Sequence, residues 1–238
     1  MRPGVPLFTL SLACVMSIPG FAMFQGARQE GIDVALAVGY FQEVSDLCGT
    51  RAANLWNVPL YGPILLVDPD SRAVVANQAD GEGRLQQKGG AFVGTLPEDE
   101  NIANTATKWA GTKWTMIMWP LPEERRARLR LMTHELFHRI QDTIGLAASE
   151  GSNRHLNSQG GRTWLRLEWR ALQRALQEQG TARREAIEDA IYFRRYRQSL
   201  FPGSAAEECA LESNEGVAEY TGLKLSSALS FSPTIIWA

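Results

Sequence analysis

Residues 134–138 read His-Glu-Leu-Phe-His. Side chains four positions apart lie one above the other on a helix, so His134 and His138 can turn imidazole nitrogens toward a single ion. Glu135 projects about 100° round from His134, within reach of a water held by that ion. Two nitrogen ligands and a general base at this spacing make a hydrolytic zinc arrangement. The chain has only three histidines among 238 residues, so composition alone gives little chance of such a pentapeptide.

The geometry requires a helix, and the flanks predict one over 122–143. Pro122-Glu123-Glu124 offers a proline and two acids for a first turn, and Gly145 offers a stop. Leu129, Met132, Leu136, Ile140 and Ile144 share one side, and the two histidines lie opposite with Leu131 and Asp142. A catalytic zinc takes three protein ligands and keeps one position open. The long metzincin pattern does not supply the third ligand, because Gln141 and Ile144 stand where glycine and histidine are required. His155, in a polar loop over 149–161, is one option.

Glu215 is the stronger option. It lies in Leu211-Glu-Ser-Asn-Glu-Gly-Val-Ala-Glu-Tyr220, on a helix predicted over 204–228. It falls inside an apolar stripe of Leu211, Ala218, Gly222 and Leu225, so burial is expected. A buried carboxylate is costly unless a cation neutralises it. Small residues at 216, 218 and 222 would let two helices approach closely. Glu219, one turn on, can accept the second ring N–H of a ligand histidine. The plainer alternative is an acidic solvated face, since Glu208, Glu212 and Glu219 recur at similar intervals.

Together the two segments resemble the gluzincins, the zinc metallopeptidases that include thermolysin and the membrane alanyl aminopeptidases. The resemblance covers the two helices and a preceding sheet. It implies a zincin-like fold, Zn2+ held by His134, His138 and Glu215, Glu135 as general base, Glu219 supporting a ligand histidine, and a peptide or protein substrate. The separation of 77 positions from His138 to Glu215 makes room for two further helices. The Gly-x-Met-x-Asn strand signature of the aminopeptidases is missing, so recognition of a free amino terminus is not implied. Peptide hydrolysis also needs a donor for the oxyanion. Tyr220 and His155 are candidates, with Tyr192 and Tyr196 also available. Strand 113–119 or its neighbour 102–109 could accept an extended peptide as an added strand. The competing expectation is an exported, non-catalytic zinc-binding or interaction module with a degenerate or truncated cleft, because the chain stops soon after Glu215 in the apolar stretch 230–238.

The elements that must position these residues divide by composition into a sheet followed by helices, an α+β chain. Within 31–120, apolar strands over 63–67 and 73–76 flank the turn Asp68-Pro-Asp-Ser71. Further strands are predicted over 91–94, 102–109 and 113–119, mostly antiparallel. A helix over 31–47, apolar at 34, 38, 41 and 44, should cover the sheet. Beyond 121, helices are predicted over 122–143, 163–179, 181–199 and 204–228, with Phe201-Pro-Gly203 as a break. Trp164, Trp169, Tyr192 and Tyr196 recur at helical spacing and read as core.

Hydrophobic residues make up 45% and charged residues 21%, which excludes a disordered chain, a collagen and a coiled coil. A net charge of −2 argues against general polyanion binding. Fifteen of the twenty arginines fall within 125–197, against eight acids. They read as the solvated side of amphipathic helices, with arginine stems covering apolar surface, and no nucleic-acid partner is expected. Residues 1–24 carry one charge, Arg2, then an apolar run broken at Pro19-Gly20. They read as a signal peptide or an uncleaved membrane anchor. The protein is thus expected to be exported, periplasmic or secreted, or tethered, with membrane contact only through that segment. Residues 25–238 are expected to form one zincin-like catalytic domain. Cys14 sits in a poor lipidation context. Cys48 and Cys209 remain, either paired or as two buried thiols, and no Cys-x-x-Cys pair is present.

Overall fold

Six strands form one sheet in the order β3-β4-β2-β1-β6-β5, with β1 Ile64–Val67, β2 Ala73–Ala76, β3 Gln86–Lys88, β4 Ala91–Thr95, β5 Thr105–Trp109 and β6 Thr112–Met118. The computed structural model describes residues 31–50, 54–146 and 151–227. The apolar run 1–24, Cys14 and the stretch 230–238 lie outside these residues, and with them the expectations of export, anchoring and truncation. The fold is α+β: a mixed, mostly antiparallel sheet, then a helical part.

Among the described strands only β1 and β6 pair in parallel, with Leu65 opposite Met116 and Leu66 opposite Ile117. All four residues of β1 are buried because both sheet faces are covered. Ile64 and Leu66 join one cluster with the helices, while Leu65 and Val67 join another with Val74, Leu96, Trp109, Trp114 and Met116. The Asp68 carboxylate accepts from the amides of Asp70 and Ser71 at 2.9 and 3.1 Å, which closes the β1–β2 turn. Strand β3 was not expected. Its Gln-Gln-Lys sequence is fully exposed, and it is held to β4 through the Gly89-Gly90 turn, where both residues have positive φ, a conformation glycine adopts freely.

Two helices cover the first face, α1 Val34–Cys48 and α2 Arg125–Ile140. On α1 the buried residues are Ala37, Tyr40, Phe41, Val44 and Leu47, so the core stripe is rotated from the predicted 34/38/41/44. Helix α2 starts later than predicted. Glu124 is its cap and accepts from the amides of Arg126 and Ala127 at 2.7 and 2.6 Å, and Pro122 precedes the helix. Leu129, Met132, Leu136, Phe137 and Ile140 of α2 are buried against the sheet and α1. Arg128 fastens the two helices, with Nη2 on Glu43 Oε2 at 2.8 Å and its guanidinium 4.0 Å from the Tyr40 ring centre.

A 3-10 turn, Arg154–Asn157, leads into a hairpin of α3 Gln159–Gln177 and α4 Gly180–Leu200. The chain then returns through α5 Ser204–Leu211, a π-helical turn Glu212–Gly216 and α6 Val217–Ser227. Helix α6 lies against α2 at close range. A Cβ on Gly222 would stand 2.7 Å from the Arg130 carbonyl oxygen, so only glycine permits this approach. Trp56 adds a strap, its indole donating to Thr221 Oγ1 at 3.1 Å and its ring resting 5.3 Å from Phe137.

The base of the hairpin is held by buried charge. Arg197 is 1% exposed. It reaches Glu208 Oε1 through Nε at 2.6 Å and Glu168 Oε2 through Nη1 at 2.6 Å. Arg194 joins Glu168 at 2.7 Å and Glu212 at 2.5 Å. Glu208 is therefore not part of a solvated acidic face. Burial works against its charge, but the bonds from Arg197 and Gln198 prevail and hold its carboxyl below the usual range. Farther out, Trp169, Tyr192 and Tyr196 are not core: they are 50%, 61% and 38% exposed. The helices that carry them pack mainly on each other. Cys48 and Cys209 are both free, and burial pushes the Cys48 thiol up to about 12.

Candidate metal centre

Helix α2 presents two faces. One carries the core residues above, and the other carries His134 and His138, with ring centres 5.0 Å apart and Nε2 atoms 3.2 Å apart. The turn Glu212–Gly216 faces them from the return helix. Its Glu215 Oε2 lies 3.4 Å from His134 Nε2 and 3.7 Å from His138 Nε2. Ligand atoms of His134, His138 and Glu215 all fall within 4.8 Å of one another. The two histidine side chains are 17% and 13% exposed, and that of Glu215 is 49% exposed. Glu215 is thus at the rim, not buried in an apolar stripe. Leu211, assigned to that stripe, is exposed too, whereas Ala218 and Leu225 are buried. The π-helical turn is the reason: its wider winding breaks the 3.6-residue period and shifts the face on which Glu215 emerges.

Each histidine has its Nδ1 engaged. His138 Nδ1 is 2.9 Å from Gln141 Oε1, and His134 Nδ1 is 3.4 Å from Glu219 Oε2. Both partners can accept a ring proton on Nδ1, the arrangement that turns each Nε2 toward the Glu215 carboxylate. Glu219 is steadied by Arg130, to which it is ion-paired. On the other side Gln141 Nε2 donates to Asn214 Oδ1 at 2.9 Å, and Asn214 Nδ2 donates to Glu215 Oε1 at 2.9 Å.

The charges of the cluster are coupled. The imidazoles beside Glu215 hold its carboxyl well below the usual carboxylate range. Burial disfavours the His138 cation, but Glu215 and Gln141 outweigh it and raise the group above its ordinary value. Glu135 is 5% exposed. Burial pushes its carboxyl up to about 7, against the pull of His134 and His138. Its Oε2 is buried with no hydrogen-bond partner among the described residues.

No match to this chain is found among protein-family models, curated proteins or solved structures.

The donor chemistry fits zinc. Two neutral imidazole nitrogens and one carboxylate oxygen are a common catalytic set, the histidines' outer nitrogens are already held, and an orphaned buried carboxyl lies alongside. Of the other residues singled out in the sequence, His155 is elsewhere. It is buried, with Nε2 2.7 Å from Glu208 Oε1 and its ring 5.8 Å from Phe201, because the 3-10 turn carrying it packs on the hairpin base. Tyr220 is half-exposed on α6. Tyr192 and Tyr196 stack on each other at 6.1 Å within the hairpin. Strand β6 is paired on both sides and cannot accept a peptide, whereas β5 is one of the two edges of the sheet, β3 being the other. Three members of the cluster carried no assigned role in the sequence: Arg130, Gln141 and Asn214. Helical spacing was the available signal for two of them, since Gln141 follows His138 by three positions and Arg130 precedes His134 by four.

Proposed function

We propose that this chain is a zinc-dependent peptide hydrolase of the gluzincin kind, with His134, His138 and Glu215 as the residues that would hold the metal. The observation that carries the proposal is the convergence of the two Nε2 atoms and the Glu215 carboxylate from segments 77 positions apart. A zinc ion in a three-ligand site of this kind supplies Lewis acidity and draws the pKa of a water toward neutrality. Glu135 takes the proton of the attacking water and returns it to the departing amine. Its buried carboxyl, pushed up to about 7, suits proton exchange near neutrality, and a cation nearby lowers that value and keeps the group ionised as a base. Tyr220 is the candidate donor to the oxyanion. The substrate is a peptide or protein segment, which in extended form can add to the free edge of β5. Residues 1–24 support an exported or tethered location.

The test is Glu135→Gln, assayed for metal content and for cleavage of a mixed peptide library. The variant should keep about one zinc per chain and lose roughly 10²–10⁴-fold in turnover. Unchanged turnover in the zinc-loaded variant would remove Glu135 from the chemistry and with it the hydrolase assignment.

A further inference from the structure

Helices α3 and α4 pack on each other, with Glu168, Ala171 and Ala175 buried on α3, and Ala186, Ala190 and Arg197 buried on α4. In an antiparallel pair, positions that directly follow the buried ones fall on the same side of both helices. On α3 these are Trp169, Leu172 and Leu176, in line with Leu165. On α4 they are Ile187 and Ile191. Apart from half-buried Leu165, all are exposed, Leu176 by 84%. The hairpin therefore carries a continuous apolar face that the described elements leave open.

The border of this face is cationic. Arg162 and Arg166 flank it on α3, and Arg184 and Arg195 flank it on α4, with Glu188 as the acid among them. Glu185 and Asp189 of α4 lie on the opposite side, where Glu185 approaches Arg174 at 3.9 Å. Nine arginines against five acids over 159–200, in a chain of net charge −2, set the hairpin apart in sign. The polar residues at the base of the face are engaged inward: Arg194 holds Glu168 and Glu212, and Gln198 holds Glu208. The face itself offers leucine, isoleucine and one indole. It has almost nothing with which to fix register on a folded protein, and a fluid hydrocarbon surface demands no register. An apolar helix face bordered by arginine matches the interface of an anionic bilayer, where apolar side chains enter the acyl boundary and the cations meet the headgroups.

We propose that the α3–α4 hairpin lays its apolar face on anionic lipid, a contact separate from the amino-terminal run and independent of the metal centre. The experiment is cosedimentation of the full chain with vesicles of phosphatidylcholine, with and without phosphatidylglycerol, at rising salt. Wild type should prefer the anionic vesicles and lose that preference as salt rises. Leu172→Asp with Leu176→Asp should weaken binding about tenfold or more. Arg166→Glu with Arg184→Glu should lower the anionic preference about fivefold per position. These are surface positions, and thermal melts verify that each variant folds. As a second measurement, brominated acyl chains should quench tryptophan emission in wild type, and Trp169→Phe should remove much of that quenching. Equal binding of wild type and the aspartate variant to anionic vesicles would overturn the proposal. So would a lipid-free dimer that the aspartate variant dissociates, because a second copy would then be what covers the face.

Discussion

Gln141, just past the end of α2, and Asn214, in the π-helical turn, are joined by one hydrogen bond of 2.9 Å. The free ends of the two amides act on different members of the cluster: Gln141 Oε1 faces His138 Nδ1, and Asn214 Nδ2 donates to the Glu215 carboxylate. One amide pair thus orients His138 on α2 and Glu215 in the π-helical turn. Gln141 is 2% exposed, so this link is sheltered from water in a way that the Glu215 carboxylate is not.

Gln141→Ala and Asn214→Ala should each weaken zinc affinity by about 10–100-fold, the usual cost of losing an outer-shell partner. Competition with a chromogenic chelator measures this. The double variant should lose little more than either single one, because the two side chains act as one unit. Additive losses would mean that the two side chains serve the site separately.

Glu135 makes the metal-free protein sensitive to pH. Its carboxyl titrates at about 7 in the folded chain, against an ordinary value of 4.5. Between these values the folded state holds the extra proton, so stability falls as pH rises through the interval and stays reduced above it. In the presence of a chelator, Glu135→Gln should be more stable than wild type above pH 7, by about 1–3 kcal/mol. The difference should vanish below pH 4.5. Urea titrations at several pH values measure it, and a constant offset would contradict the assignment.

Gly222→Ala introduces a methyl where the Arg130 carbonyl oxygen would be 2.7 Å away. Helices α2 and α6 must then separate, at a cost of about 1–3 kcal/mol. Zinc affinity should fall with stability, because α6 follows directly on the turn that carries Glu215. Gly216→Ala should leave the α2–α6 contact intact, since its nearest neighbour, Glu212 Cβ, would be 3.9 Å away. Chemical denaturation with parallel metal titration separates the two.

Arg197→Ala leaves the Glu168 and Glu208 carboxylates buried without their shared cation. A loss of about 3–5 kcal/mol is expected, and the hairpin should loosen at its base. Hydrogen exchange should show the change first in α3, α4 and the 3-10 turn that carries His155. Arg197→Met with Glu168→Met and Glu208→Met should recover much of the stability, since apolar replacement of a buried ionic group is often neutral or better.

Much of the fold was legible because burial leaves strong periodic marks. Strands β1 and β2 sit on uninterrupted apolar runs around an Asp-Pro-Asp turn, and α2 shows its core stripe from Leu129 to Ile140. Strand β3 left no mark, since Gln86, Gln87 and Lys88 bury nothing and owe their place to a glycine turn. Helix α3 begins earlier than predicted because Gly160 and Gly161 look like loop. Gly161 is there since a Cβ would collide with the His155 carbonyl oxygen of the preceding 3-10 turn, a close approach that residue types alone do not reveal. The hairpin aromatics were misread for the opposite reason: helical spacing shows that Trp169 and Tyr196 share a pattern, not which side has a neighbour. At the candidate site, the residue types and the histidine spacing were readable. The exposure of Glu215 was not, because a stripe drawn with 3.6 residues per turn fails across a π-helical turn.

That turn has a genetic consequence. A π-helical turn contains one residue more than the α-helical turn it replaces. Loss of any single codon between 212 and 216 would let the backbone close into regular helix from α5 through α6, leaving the chain able to fold. The flanking helices would keep their faces, because only the extra residue of the turn is lost, whereas Glu215 would be drawn onto α-helical winding and its carboxylate would turn away from the imidazoles. A deletion of that size would separate folding from any metal binding at the cluster.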